Sequence, residues 1–183
     1  MSYAIHTLDT APEAAREPLA KAQRAFGFVP NLLAVMASAP SLLKAYMTLG
    51  ALFDESSLTP SERQVVLLEV SYQNGCDYCV AAHTVIAGMQ GVAADVVKAI
   101  RDGQPIADER LEGLRQFTAA VVQSRGWPSE EPTRAFFDAG YTQAQALEVI
   151  LGVGMKTLSN YTNHLAATPL DVAFSKDAWS KAA

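Results

Sequence analysis

The sequence predicts an all-α chain, and three observations carry that expectation. Apolar residues recur at helical spacing between regularly placed prolines, β-branched alternation is scarce, and capping signals open several of the periodic stretches. Half of the 183 residues are hydrophobic and 18% are charged, enough apolar surface for one full core. Residues 13–26 read as a first helix that stops at Gly27. Phe28-Val29-Pro30-Asn31 is a turn, with Asn31 as the expected cap of a short helix to Ala37. Ser41 is the expected cap of a helix to Phe53. Thr59-Pro60-Ser61-Glu62 is a strong start signal for residues 60–73, and Asn74-Gly75 suits a left-handed stop. A helix from Cys76-Asp77 to Met89 follows, then helices over 92–101, 108–125 and 130–138. Thr142 caps a last long helix to Ala166, and residues 168–183 form a mixed tail expected to pack on a neighbour or lie over the surface. The expectation is one domain over residues 1–183, surest over 40–125, with 1–25 as an N-terminal arm and helix.

Composition excludes several function classes. A net charge of −5 with no Lys/Arg run argues against a nucleic-acid footprint. Apolar stretches fall short of the ~18 residues a spanning helix needs. The N-terminus lacks a basic and then apolar leader pattern, so the cytoplasm is the expected compartment.

Cys76 and Cys79 are the only cysteines in the chain. Two intervening residues constrain the unfolded chain little, so a bridge between them would be a poor staple. In a reducing compartment the pair reads as reactive or metal-binding. At 100° per residue, Cys76, Cys79 and His83 share one face within two turns of a helix. Both sulfurs then sit near the helix start, where unpaired N–H groups and the dipole favour thiolate. His83, one turn beyond Cys79, is placed to exchange a proton with a sulfur directly or through a water. A thiolate, a resolving thiol and a proton carrier are what peroxide reduction requires. Spacing does not decide which cysteine plays which part. Zinc would need His6 or His164 as a distant fourth ligand, and the bland reading is two small buried thiols beside a satisfied histidine.

The run Gly75-Cys76-Asp77-Tyr78-Cys79-Val80-Ala81-Ala82-His83 resembles the signature of the carboxymuconolactone decarboxylase and alkylhydroperoxidase D-like superfamily. Gly27-Phe28-Val29-Pro30-Asn31 and Ser38-Ala39-Pro40 are similar to its peroxidase-related branch. Ala139-Gly140-Tyr141-Thr142 and the helix carrying Asn160 and Asn163 resemble its closing helix. The resemblance implies a single-domain helical bundle of the alkylhydroperoxidase D-like type, with the CxxC at a helix N-terminus. It implies trimers or hexamers and reduction of hydrogen peroxide or organic hydroperoxides, without a metal or organic cofactor. By the same resemblance Cys79 is the peroxidatic thiol, Cys76 the resolving thiol and His83 the relay histidine. Electrons would come from a dithiol: a lipoyl or thioredoxin-like protein, or a small thiol.

Two positions depart from the family. Its relay glutamate stands twelve residues before the first cysteine, where this chain has Gln64, and Tyr78 stands where relatives can carry a histidine. Glu69, amid Leu67, Leu68 and Val70, is the candidate substitute partner for His83, the alternative being a structural pair with an arginine such as Arg63. Asn160, Asn163 and His164 form a polar stripe that faces either the thiols or a subunit contact, or satisfies backbone near Pro169. Tyr72 and Tyr78 are candidate pocket-lining aromatics. His6 is expected to be inert in a mobile N-terminus. The rival functions are a lactone acid decarboxylase, whose branch generally lacks the CxxC, and a non-enzymatic redox-sensing or metal-binding oligomer.

Overall fold

A reciprocal capping box starts the central helix of the molecule. In the computed structural model, which describes residues 3–181, Glu62 N–H donates to Thr59 Oγ1 at 3.2 Å and Thr59 N–H to Glu62 Oε2 at 2.7 Å. The helix so opened, Pro60–Gln73, is buried on every side, and its apolar residues Val65, Val66, Leu67, Leu68 and Val70 are each largely hidden from solvent. It is α4 in chain order, after α1 (Glu13–Phe26), α2 (Asn31–Met36) and α3 (Pro40–Asp54). Packed around it are α5 (Asp77–Met89), α6 (Ala94–Arg101), α7 (Glu109–Gln123) and α9 (Gln143–Ala166), with α8 (Glu130–Asp138) against α7. A 3-10 segment, Val172–Asp177, closes the chain on α5, and no strand occurs among the described residues. None of the described helices is long and apolar enough to cross a membrane.

The buried apolar residues form two clusters. One surrounds α4 and includes Phe53, Ile100, Leu114, Phe136 and Val149. The other joins α1, α2, α3 and α5 to Phe174, and it contains both cysteines. The N-terminal residues are therefore part of a core, with Ala15, Leu19 and Ala22 of α1 buried. The tail docks on its own chain. Phe174 lies edge-on to Tyr78 at 6.1 Å, and Trp179 Nε1 donates to Arg101 O at 2.8 Å. Lys181 stands over the Tyr72 ring, so Tyr72 faces the tail and does not line the cavity beside the thiols.

Several starts differ from the sequence expectation, each for a local reason. Pro40 opens α3 with Ser41 already inside the helix and not capping it, because the missing N–H of Pro40 needs no partner there. Asn31 does not cap α2. Its backbone N–H instead donates to both oxygens of Asp171 at 3.2 Å, so the cap is a carboxylate 140 residues away. The helices expected over 92–101 and 108–125 are shorter, beginning at Ala94 and ending at Gln123. His6 is held by Thr10 O and Ser38 Oγ, each at 3.1 Å, rather than free.

Gly152 brings α9 against α3 and α4. A Cβ there would meet Val66 Cγ1 at 2.8 Å and Phe53 Cζ at 2.9 Å, whereas one at Gly154 would meet nothing within 4 Å. Gly152→Ala should lower stability by about 1–2 kcal/mol despite better helix propensity, because overpacking outweighs that gain. Gly154→Ala should raise it by about 0.5–1 kcal/mol. Urea denaturation of the two variants checks the opposite signs.

Candidate active site

The thiol pair is set by the junction between α4 and α5. Gly75 adopts φ +63°, and the chain reverses so that Cys76 N–H donates to Ser71 O at 2.9 Å. Cys76 is the extended residue preceding α5, and Cys79 sits in the first turn. Both are free thiols and both are 1% exposed. The tyrosine between them is anchored: Tyr78 Oη donates to Asp171 Oδ2 at 2.5 Å and accepts from Leu32 N–H at 3.3 Å. Asp171 thus ties the tail, α2 and the CxxC turn together, and a bonded, buried phenol beside that carboxylate has its pKa pushed up by burial and then by Asp171.

The buried face of α9 supplies the polar surroundings of the sulfurs. Asn163 Nδ2 donates to Cys79 Sγ at 3.2 Å and reaches Cys76 Sγ at 3.8 Å. Ser159 Oγ lies 3.8 Å from Cys79 Sγ and donates to Lys156 O at 3.0 Å. Lys156 itself is fully buried, and its ammonium has no hydrogen-bond partner among the described residues. Burial opposes ionisation of Cys79, but a hydrogen bond from the Cys76 thiol, the Lys156 charge and Ser159 outweigh it and hold its pKa well below the ordinary thiol value. The same hydrogen bond, with burial and the Cys79 charge, pushes Cys76 up. One sulfur is thereby poised as thiolate and the other as thiol. Burial likewise opposes the Lys156 ammonium, and the Cys79 charge foremost overcomes it, leaving its pKa raised.

His83 is 8% exposed and is held by Gln64, the residue at the departed relay position, with Nδ1 and Oε1 3.0 Å apart. Gln64 Nε2 donates to Gln90 Oε1 at 3.1 Å, so its carbonyl oxygen is the atom free to accept the Nδ1 proton. Burial, then the Lys156 charge, push the imidazole pKa well below its usual value, so His83 is neutral at pH 7. Its hydrogen bond goes to the amide, not to a sulfur.

The placement of Glu69 corrects the sequence expectation. Gln73 Nε2 donates to Glu69 Oε1 at 2.6 Å, and Arg115 Nη1 lies 3.5 Å from Oε2. The carboxylate has an arginine partner on α7 and is absent from the cavity lining. That partner is Arg115, whereas Arg63 lies 3.7 Å from Asp54. Burial raises the Glu69 pKa against the lowering by Gln73 and Arg115, the signature here of a structural pair. His164 is exposed, and Asn160 accepts from Asn74 at 2.9 Å. Of the α9 polar stripe, only Asn163 touches the thiols.

Beside Cys79 lies an open cavity of about 370 Å³, lined chiefly by apolar side chains such as Leu33, Met47, Ile86 and Phe174. Cys79, His83, Tyr46 and Lys156 border it, and Cys76 does not. No group of three or more His, Cys, Asp or Glu that could hold a metal occurs among the described residues. Lys156 and Ser159 are the site groups that sequence reasoning passed over, and Gln64, read there only as a departure from the relay glutamate, is the residue that holds His83. The signal for Lys156 was present: Val149, Gly152, Lys156 and Asn163 recur at helical spacing on one face, with a single cation among apolar and small residues.

Residues 40–120 match the carboxymuconolactone decarboxylase family model. No curated protein sequence matches the chain. Among solved structures, an uncharacterised peroxidase-related protein with an alkylhydroperoxidase AhpD core, from Ralstonia eutropha JMP134, is 22% identical with a TM-score of 0.83, covering 94% of this chain and 93% of its own. The debrominase Bmp8, as a cysteine-to-alanine variant in complex with 2,3,4-tribromopyrrole, is 19% identical with a TM-score of 0.78, covering 95% and 97%. An uncharacterised peroxidase-related protein from Silicibacter sp. TM1040 gives the same identity and TM-score over 95% of each chain. The family match over residues 40–120 takes in the CxxC region, and the fold around it is similar to that of the alkylhydroperoxidase AhpD core.

Proposed function

We propose that the protein is a thiol-dependent peroxidase, or disulfide oxidoreductase, that reduces hydrogen peroxide or organic hydroperoxides in the cytoplasm. The observation that carries this reading is the asymmetry of the pair: Cys79 borders the cavity with a lowered pKa, and Cys76 lies behind it with a raised one. The Cys79 thiolate attacks the terminal peroxide oxygen, the O–O bond breaks, and an alcohol leaves once its alkoxide is protonated. The Cys76 thiol then displaces hydroxide from the Cys79 sulfenic acid, and its proton completes a water. A dithiol reductant returns both sulfurs to the reduced state by exchange. His83, with Nδ1–H turned to Gln64, keeps Nε2 as a neutral proton acceptor at the cavity wall. Glu69, held by Gln73 and Arg115, takes no part in this relay.

A second reading is reductive dehalogenation by the same dithiol. The fold shared with a debrominase and the apolar cavity support it, and thiol-dependent bromide release from an aryl bromide would distinguish it.

Self-association is part of the proposal. Leu147, Ile150, Tyr161 and Leu165 are exposed along α9 at spacings of three, four and eleven residues, one continuous stripe on a helix. A second copy of this chain is the occupant proposed for it, in keeping with the trimer or hexamer that the resemblance implies. Leu147→Glu with Leu165→Glu should convert the assembly to monomers in light scattering, with helical content kept.

Steady-state consumption of cumene hydroperoxide with dithiothreitol tests the main reading. Cys79→Ser should lose turnover by about 10³-fold or more. Cys76→Ser should react once and accumulate a sulfenic acid that dimedone traps. Full activity in Cys79→Ser would sink the mechanism. Gln64→Glu, which gives His83 a charged partner, should raise the imidazole pKa and increase turnover several-fold, read by proton NMR and by the same assay.

A further inference from the structure

Lys156 lowers the Cys79 pKa but carries no proton in the steps given above, and its setting demands such a role. An ammonium buried without a hydrogen-bond partner is costly unless a counter-charge holds it. Lys156 lines the same cavity as Cys79, and Ser159 and Asn163, three and seven residues on along α9, both reach the Cys79 sulfur. Its side chain therefore lies on the helix face that holds Cys79. The charged and titratable groups around it are few. Tyr46 faces it from α3, Cys76, Cys79 and His83 from α5, and α2 carries no titratable side chain. From α4 and α7, Glu62 is taken by Arg110, and Glu69 and Glu112 by Arg115. Lys21 and Asp54 line the same cavity. A thiolate at Cys79 is the anion positioned to balance the Lys156 charge.

We propose that Lys156 is the proton carrier of the CxxC centre, an ammonium paired with the Cys79 thiolate in the reduced protein and a neutral amine when the two sulfurs are joined. Oxidation removes the Cys79 counter-charge, and burial then expels the proton. In the peroxidase reading, on which this catalytic role rests, the proton goes to the departing alkoxide. The balance closes: Cys79 thiolate, Lys156 ammonium, Cys76 thiol and ROOH give the disulfide, the Lys156 amine, ROH and water. The two electrons come from the sulfurs. Reduction by a dithiol delivers two protons, one to Cys76 and one to Lys156. Lys156 so supplies the charge that the neutral Gln64–His83 pair lacks.

The test needs no peroxide. Thiolate absorbance at 240 nm is titrated in the reduced protein and in Lys156→Met, whose folding is checked by circular dichroism. The equilibrium between the oxidised protein and dithiothreitol is measured between about pH 6 and 8, below the ordinary thiol pKa. The expected result is a thiolate in the wild type at pH 7, its loss in Lys156→Met until alkaline pH, and a wild-type equilibrium constant independent of pH. A thiolate whose equilibrium constant rises about tenfold per pH unit would mean that only one proton is taken up, and would overturn the proposal. So would a wild-type thiol at pH 7, or a Lys156→Met titration equal to the wild type. Should the wild type consume no peroxide while these results hold, the peroxidase reading fails and the Lys156–Cys79 proton coupling stands.

Discussion

Everything in the site depends on placing a cation and a thiolate together where water does not reach. Lys156 and Cys79 are each almost wholly buried, one on the inner face of α9 and the other in the first turn of α5. Neither charge is stable alone in such surroundings. Each is held by the other, and the neighbours add direction. Asn163 offers Cys79 an N–H, and Cys76 supplies a second donor and keeps its own proton. The pair of sulfurs is thereby made unequal by the side chains around them.

The fold serves that constraint. α4 is buried on all sides and carries four polar side chains inward, each with a defined partner: Glu62 with Arg110, Glu69 with Arg115, Gln64 with His83, and Ser71 with its own helix backbone. The residues that flank the matched region 40–120 close the other side. Asp171 joins the tail to Tyr78 and to the first turn of α2, and Phe174 packs on the same tyrosine. The cavity wall is thus drawn from α1, α2, α3, α5, α9 and the tail, and Cys79, not Cys76, opens onto it.

Local chemistry was legible in the sequence, and long-range pairing was not. Thr59 with Glu62, Thr142 as a cap, and Gly75 before the CxxC act within a few residues, and each is found where its pattern points. The fold class and the helix-start position of the thiols follow from such signals. By contrast, Glu69 near the thiols in sequence is bound to Arg115 on another helix, and α2 is capped by Asp171 from the far end of the chain. No spacing rule reaches across those distances. Lys156 is the intermediate case, since helical periodicity places it on the buried face of α9 but does not say what it meets there.

The central claim is that Cys79 and Cys76 act as one redox pair, and the tryptic peptide Gln64–Lys98 carries both. Mass spectrometry of that peptide after one equivalent of hydroperoxide tests the claim most directly. The account predicts a loss of two hydrogens, a disulfide within the peptide. An unchanged mass, or a gain of oxygen on Cys79 with no disulfide, would contradict it.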